Sequence, residues 1–349
     1  MRSSYRQEDV ILLLKDITGL VEPQPAAERE RLIQAGRHYC EMLPLEYVPS
    51  PAYMEAYEEA LTHFAAPVAA AVERLTDRVL ERRGREVVLV SLARAGTPVG
   101  ILLKHCIRRK YAVRVPHYSI SIIRGRGVDH NAMEYLLERY QGERLLFVDG
   151  WIGKGAILRE LKKEMENYEG VSPELAVVSD PANLTALCGT HEDLLIPSSC
   201  LNSTVSGLVS RTFLRSDLIG EKDFHGAAYY GELAGQDLSY AFIEAIEQEF
   251  GKGTIQEEKP VTGQGTEEVE RLAKAFGIRD INLIKPGIGE ATRVLLRRVP
   301  HKLLIRQDCQ GDASLAHLIR LAREKQVPVE TYPLRHYKAC GLIKDLADT

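Results

Sequence analysis

The chain has 349 residues, of which 45% are hydrophobic and 27% are charged. Domains usually hold about 100–200 residues, so this length predicts two or three of them, and the composition excludes both a disordered chain and a small protein held together by disulfides. The net charge of −4 is unevenly distributed about Pro260: residues 1–259 carry 30 Lys and Arg against 38 Asp and Glu, which gives −8, and residues 260–349 carry 15 against 11, which gives +4. This difference in charge indicates two parts with different partners.

Neither export nor membrane insertion is expected. The first nine residues are largely polar, the apolar run from Val10 to Leu14 is shorter than a signal-peptide core, and no stretch approaches 18 apolar residues. The six cysteines are dispersed and form no Cys-x-x-Cys pair, which argues against a structural zinc site and a disulfide framework. We therefore expect a cytoplasmic protein with reduced thiols and no membrane partner.

Residues 1–250, which we call the body, begin with a predicted helical extension over 1–84 whose long helix, 54–83, is interrupted at Pro67. Residues 85–250 alternate short apolar strands with helices of about 10–15 residues, and this pattern predicts an α/β fold with a mainly parallel sheet. The predicted strands are 86–90, 113–120, 144–148, 174–178 and 194–196, and the predicted helices are 99–109, 130–140, 155–168 and 237–250.

A linker is predicted over residues 251–265, which contain four glycines and one proline. The remaining residues, 266–349, form a second domain-sized α/β unit that we call the tail. Its predicted helices are 266–276, 290–298, 315–325 and 336–345, and its predicted strands are 281–285, 302–305 and 329–332.

Two glycine-containing loops follow predicted strands of the body, where ligands bind in doubly wound sheets. The first is Ala93-Arg94-Ala95-Gly96. Its small residues let backbone N–H groups approach an oxyanion, the following helix offers its positive end, and Arg94 adds a forked donor for phosphate. A tight turn with an exposed arginine is the plainer alternative.

The second loop is Asp149 followed by Gly150-Trp151-Ile152-Gly153-Lys154-Gly155. It matches neither the Walker A pattern nor Gly-x-Gly-x-x-Gly. A carboxylate at a strand end can accept hydrogen bonds from ribose hydroxyls, while the backbone amides and Lys154 can surround a phosphate. These residues together suit a ribose 5-phosphate group, and a glycine turn with a solvated lysine is the alternative.

These two loops resemble those of type I phosphoribosyltransferases. The resemblance implies that Asp149 holds the ribose hydroxyls of phosphoribosyl pyrophosphate, that the loop after it binds the 5-phosphate, and that the Arg94 turn binds pyrophosphate. It also implies a mobile catalytic loop with Arg124 and Arg126, and Mg²⁺ held through the substrate with no direct protein ligand. Gly150 stands where a second acid is usual, and the loop has no threonine.

Over nearly its whole length the chain is similar to the StiP-type proteins, through residues 38–44, 120–127, 148–151 and 196–207. That bacterial family is linked to tellurium-resistance and stress operons, and it joins a phosphoribosyltransferase-like domain to a Pelota-like domain. The family is also labelled a cysteine protease, for which Cys200 is the alternative nucleophile. His38, His191 and His225 are available, but no spacing ties one to Cys200. We expect residues 197–211 to cover a nucleotide pocket instead.

The tail resembles Pelota and kink-turn-binding proteins in the segment 287–293, which opens a predicted helix. The resemblance implies an α-β-α sandwich that binds structured RNA, because a glycine at a helix start lets the backbone meet a phosphate. Gly289 replaces the asparagine that normally contacts a base, and a module without RNA is the alternative. The expected RNA-binding residues are Lys285, Gly287, Gly289, Glu290, Thr292, Arg293 and Arg297.

The prediction is a phosphoribosyltransferase-like enzyme that acts on phosphoribosyl pyrophosphate or on a nucleotide or ribose 5-phosphate, by Mg²⁺-dependent pyrophosphate displacement or its reverse. Its tail binds RNA, and the pathway is a stress or tellurite response. Two alternatives stay open, a cysteine hydrolase and a non-enzymatic RNA-binding regulator that senses nucleotides. The base, the acceptor, the RNA and the oligomeric state, a homodimer included, are not determined by the sequence.

Overall fold

A computed structural model describes residues 1–253 and 262–344. The body contains β1 (Ile11–Leu12), β2 (Lys15–Asp16), α1 (Ala26–Gln34), α2 (Pro51–Arg83), β3 (Val88–Ala93), α3 (Gly96–Tyr111), β4 (His117–Ile123), β5 (Gly127–Val128), α4 (His130–Leu137), β6 (Leu145–Trp151), α5 (Ala156–Met165), β7 (Leu175–Ser179), β8 (Cys188–Thr190), β9 (Gly226–Ala227) and α6 (Ser239–Glu247). Most of the predicted linker, residues 254–261, lies outside the described residues.

The main sheet of the body has the strand order β1-β4-β3-β6-β7-β8, with all neighbours parallel, and β5 adds an antiparallel pair to β4. Strands such as β7 are buried along their whole length, as expected when helices cover both faces. Side chains of α2, α3 and α6 pack on one face, and those of α4 and α5 pack on the other. The predicted α/β class with a parallel sheet is confirmed.

The N-terminal extension differs from its prediction. It contains two short strands as well as helices, and β1 extends the main sheet by pairing with β4. Pro67 does not interrupt α2, which continues through it to Arg83 and buries Val68, Val72 and Leu75. This burial compensates for the hydrogen bond that an internal proline removes. The predicted strand over 194–196 is wrong, because these residues are irregular and β8 forms that edge of the sheet.

The tail contains α7 (Gly265–Ala275), β10 (Ile284–Pro286), α8 (Ile288–Arg297), β11 (Pro300–Arg306), α9 (Ala316–Glu324), β12 (Val329–Tyr332) and β13 (Ala339–Ile343). Its sheet has the order β10-β13-β11-β12, in which β13 is antiparallel to both neighbours. Helices α8 and α9 pack on one face and α7 packs on the other, giving the expected α-β-α sandwich.

The predicted last helix over 336–345 is wrong, because residues 339–343 are the central strand β13. All five residues are buried, and a Cβ on Gly341 would lie only 3.3 Å from the Cα of Ala291. Helix α8 therefore packs directly on the backbone of this strand. Over the part of the chain that the structure describes, no helix has both the length and the apolar character needed to cross a membrane.

Candidate functional site

The two glycine loops lie side by side at one edge of the main sheet. Strands β3 and β6 are parallel neighbours, with Ser91 opposite Val148, so their carboxyl ends lie at the same edge of the sheet. A side chain at Gly96 would overlap the carbonyl oxygen of Val148 and lie 3.1 Å from the Cα of Asp149. Glycine at this position therefore lets the start of α3 touch the end of β6. The Ala93–Arg94 peptide bond in this turn is cis.

Asp149 lies near the carboxyl end of strand β6, and this strand extends three residues further than the sequence predicts. One carboxylate oxygen accepts a hydrogen bond of 2.8 Å from the N–H of Gly150. Burial raises the pKa of Asp149 to about 6, and the charge of Glu290 in the tail acts in the same direction. The guanidinium of Arg293, also in the tail, acts in the opposite direction. Asp149 thus faces the tail.

Arg94 is held by three acceptors rather than exposed to solvent. Its guanidinium donates to the carbonyl oxygen of Val209 at 2.9 Å, to Glu46 at 3.2 Å and to the Asn202 side chain at 3.3 Å. The Glu46 carboxylate is almost completely buried and also accepts from the N–H and hydroxyl of Ser203. Residues 202–209 therefore lie against the Arg94 turn, close to where the sequence predicts a cover.

Arg211 lies at the same site and was not predicted. Its guanidinium keeps solvent access and makes no hydrogen bond or ion pair within residues 1–253 and 262–344. Desolvation lowers the pKa of Arg211 to about 10, and the positive charges of Arg94, Arg29 and Arg293 act in the same direction. Several guanidinium groups thus act on one another around Arg211, and such a cluster favours an anionic ligand.

The predicted catalytic arginines lie between β4 and β5. The Arg124 guanidinium donates to the Asn282 side chain of the tail at 2.9 Å, and Arg126 forms an exposed ion pair with Glu41 at 3.3 Å. The N–H groups of Gly125 and Gly127 donate to Glu160 on α5. The structure therefore anchors this loop at several points and directs Arg124 towards the tail.

The predicted phosphate loop is the surface on which the tail docks. Lys154 donates to the carbonyl oxygen of Ile281 at 2.5 Å, and burial lowers the pKa of this lysine to about 8. The hydroxyl of Tyr337 donates to the carbonyl oxygen of Gly153 at 2.7 Å. Gly155 adopts a positive φ of 73°, which starts α5. Lys154 is thus committed to the tail rather than to solvent.

A carboxylate of the body occupies the N-terminus of α8, where the sequence predicts an RNA phosphate. Asp193 accepts from the N–H of Ile288 at 3.0 Å and from the N–H of Lys338 at 2.9 Å. Burial raises the pKa of Asp193 to about 6, while these N–H donors favour its ionised form. Gly287, with φ of 94°, lets the backbone reach this acid. Asp193 was not predicted, because nothing near it in the sequence marks a partner.

The other predicted RNA-binding residues are mostly directed inward. Glu290 pairs with Arg293 at 3.1 Å, and the Arg293 guanidinium lies 4.5 Å from the ring centre of Trp151 in the body. Thr292 is completely buried and donates to the carbonyl oxygen of Ile288. Burial lowers the pKa of Lys285. Gly289 faces Ser199 of the body, and Arg297 ends α8 with a side chain outside the described part.

A small cavity of about 10 Å³, close to the space that one water molecule needs, lies between the two domains. Body and tail both supply its walls, so the two sites predicted separately meet in one place. Its lining includes Trp151, Gly153 and Asp193 from the body and Gly287, Gly289 and Glu290 from the tail.

All six cysteines are reduced and buried. Cys200, the predicted alternative nucleophile, has no exposed surface. Cys40 does contact a histidine, because its Sγ atom lies 2.9 Å from Nδ1 of His38. Burial, however, raises the pKa of the Cys40 thiol to about 11. A nucleophilic cysteine needs a stable, accessible thiolate, which this environment disfavours.

The family description "Tellurite-like stress resistance cysteine protease StiP" matches residues 3–247, and the description "PELOTA RNA binding domain" matches residues 263–345. A protein of Acinetobacter baylyi named "Cysteine protease StiP" is 36% identical over 363 aligned positions, which cover 98% of this chain and 94% of that protein.

Solved structures that this chain resembles include a hypoxanthine-guanine phosphoribosyltransferase from Bacillus anthracis, with 14% identity and a TM-score of 0.26 over 35% of this chain and 75% of that one. Another is the Leishmania tarentolae HGPRT-ase in complex with GMP, with 11% identity and a TM-score of 0.29 over 36% and 78%. These TM-scores are too low to support a conclusion. The two sequence matches are sufficient by themselves, and the chain belongs to the StiP family and ends in a Pelota-like domain.

Proposed function

We propose that the body is a phosphoribosyltransferase-like enzyme that acts on phosphoribosyl pyrophosphate, or on a nucleotide or ribose 5-phosphate in the reverse direction. One observation carries this proposal. Asp149 and the glycine loop before α5 lie beside the Arg94 turn before α3, at the carboxyl ends of two neighbouring parallel strands. This arrangement brings an acceptor for ribose hydroxyls next to two helix starts that favour phosphate oxygens.

The chain's own groups would act mainly by positioning and electrostatics. Asp149 accepts from the ribose hydroxyls, and the N–H groups of residues 153–155 face the 5-phosphate, since that of Ile152 donates to the carbonyl oxygen of Ser179. Arg211, which makes no hydrogen bond or ion pair among the described residues, neutralises charge that develops on the pyrophosphate, together with the nearby Arg94. Participation of Arg124 would first require release of its bond to Asn282 of the tail.

The residues present fit a magnesium ion that is held largely by substrate oxygens. Among the described residues Asp149 makes only one hydrogen bond, to Gly150, and so can take part in such a complex once it is ionised. When bound, Mg²⁺ would stabilise the negative charge of the leaving pyrophosphate.

Calorimetric titration of the full chain with phosphoribosyl pyrophosphate and MgCl₂ tests the proposal. Wild-type protein should bind, and Asp149→Asn should weaken binding about 5- to 30-fold, because a charge-assisted hydrogen bond is stronger than a neutral one by roughly 1–2 kcal/mol. Asp308→Asn is the matched control, since its carboxylate is exposed on the tail. Equal binding by the Asp149 variant and the control would remove the assignment.

A cysteine hydrolase is the second candidate, favoured by the His38–Cys40 contact and by the name of the Acinetobacter baylyi relative. Separate Cys40→Ser and Cys200→Ser variants should each be assayed against a general protein substrate. Loss of all turnover in one of them identifies the nucleophile, and turnover retained by both excludes this candidate.

The tail is proposed to bind structured RNA, on the strength of the family description of residues 263–345. In the docked arrangement the start of α8 is covered by Asp193, so RNA would have to displace the body to reach it. Fluorescence anisotropy with a structured RNA should show affinity that falls with added salt. Ligand binding by the body without pyrophosphate exchange would favour a nucleotide-sensing regulator instead. A cytoplasmic location and a role in a tellurite or other stress response belong to the same proposal.

A further inference from the structure

The cavity between body and tail contains groups that the proposed function leaves unused. Its body side is the loop around Gly153, and its tail side is the first turn of α8. We propose that Glu290 and Arg293 of the tail bind the same ribose- and phosphate-bearing ligand as Asp149, so that the ligand site is complete only when the tail is docked. The proposal rests on the proposed function of the body and assigns the tail a direct part in it.

Arg293 presents a donor that lacks an acceptor. One terminal nitrogen donates to Glu290 at 3.1 Å, and the guanidinium carbon lies over Trp151, 4.5 Å from the ring centre. Its Nε is buried and makes no hydrogen bond within the described residues. A buried N–H without a partner is costly, so such groups usually mark a missing acceptor. A phosphate oxygen is a suitable one, because a guanidinium held by Glu290 and by the ring of Trp151 offers its remaining donors in a fixed direction.

Glu290 brings a second carboxylate to the ribose side of the site. Its Cγ lies 3.8 Å from the position that a Cβ on Gly153 would occupy, and its charge is close enough to Asp149 to raise the pKa of that acid. Arg293 and Lys285 hold the pKa of Glu290 below its usual range, although burial opposes them. Glu290 is therefore ionised at neutral pH. Two carboxylates beside one glycine loop can each accept from one hydroxyl of a ribose.

The docking contacts hold these two side chains in place. Asp193 fixes the start of α8, Tyr337 bonds to the carbonyl of Gly153, and Lys154 bonds to the segment before β10. The cavity itself has room for about one water molecule, so it excludes a folded RNA, and a sugar phosphate would have to widen it by moving the tail outward. A small ligand therefore fits the docked arrangement better than RNA does, and RNA is left as an outcome of the test.

The test is calorimetric titration of the full chain with phosphoribosyl pyrophosphate and MgCl₂, and separately with ribose 5-phosphate. Glu290→Gln and Arg293→Lys should each weaken binding of phosphoribosyl pyrophosphate about tenfold or more. Glu270→Gln and Arg271→Lys are matched controls on the exposed side of α7 and should bind like wild type. Trp151 fluorescence checks that each variant keeps the tail docked. Glu290→Gln removes one charge with little change of shape, so it stays informative if Arg293→Lys fails to fold.

The outcomes separate the two proposals. If wild type binds neither ligand, the proposed function fails and this inference fails with it. If wild type binds, Asp149→Asn does not, and both tail variants bind normally, the proposed function stands and only this inference is overturned. This inference is also overturned if the Glu290 and Arg293 variants lose affinity for structured RNA but keep their affinity for phosphoribosyl pyrophosphate. The side of α8 that faces the cavity would then bind RNA.

Discussion

Replacing Asp193 by alanine should weaken the contact between tail and body more than any change at a surface acid. The carboxylate accepts from the backbone N–H groups of Ile288 and Lys338, which belong to the start of α8 and the approach to β13. Both contacts cross from one domain to the other. Alanine would leave two buried donors without an acceptor and would remove a negative charge from a helix N-terminus.

The expected size of the effect follows from these contacts. Leaving a buried donor unsatisfied costs roughly 1–3 kcal/mol, and two such donors therefore cost about 2–6 kcal/mol. The upper part of this range applies if no water enters the space, and the lower part applies if water replaces the carboxylate. At a urea dependence of about 2–3 kcal/mol per molar, a loss of 3 kcal/mol shifts an unfolding midpoint by roughly 1 M.

Trp151 makes the measurement specific, because it is the single tryptophan of the chain and it lies against Arg293 at the domain contact. Urea titration followed by tryptophan fluorescence should show an early transition in Asp193→Ala that reports separation of the tail. Asp308→Ala is the control, with an exposed carboxylate whose loss should cost less than about 1 kcal/mol. A midpoint in Asp193→Ala equal to that of the control would refute the reasoning.

Two further predictions concern the body, and a third concerns the cysteines of both domains. Gly96→Ala should lower the free energy of unfolding by about 1–3 kcal/mol and abolish ligand binding, because the new Cβ would overlap the carbonyl of Val148. Gly235→Ala is the control, since the space around Gly235 is open, and it should leave the urea midpoint unchanged. Asp149→Asn should raise the free energy of unfolding above pH 6 by up to about 3 kcal/mol, because the pKa of Asp149 in the folded state, about 6, exceeds the ordinary 3.8. The gain should vanish below pH 4, where Asp149 is protonated in both states. A difference that does not change with pH would show that the raised pKa of Asp149 is not its cause. The six buried cysteines should react with a thiol reagent at pH 7 only slowly, and six rapid equivalents should appear after unfolding.

Local patterns account for most of the elements that were predicted correctly. Apolar runs such as the one in β7 and amphipathic segments such as α5 are visible within short windows, and the two glycine loops follow from residue types at strand ends. The pattern of residues 339–343 is ambiguous, because a short apolar run with a glycine fits a buried strand or part of a helix. Pairing with β10 and β11 decides it.

The sequence by itself determined the family, the α/β class, the Pelota-like tail and the two loops that end β3 and β6. Only the tertiary structure decided what these loops face. Asp193 and Glu46 act on groups about 95 and 157 residues away along the chain, and no local spacing encodes such contacts. The N–H groups at the start of α8 have no acceptor within the helix, so they need one from outside it, and an anion is a favourable one. Folding supplies that anion from the body, and thereby joins two sites that the sequence presents as separate.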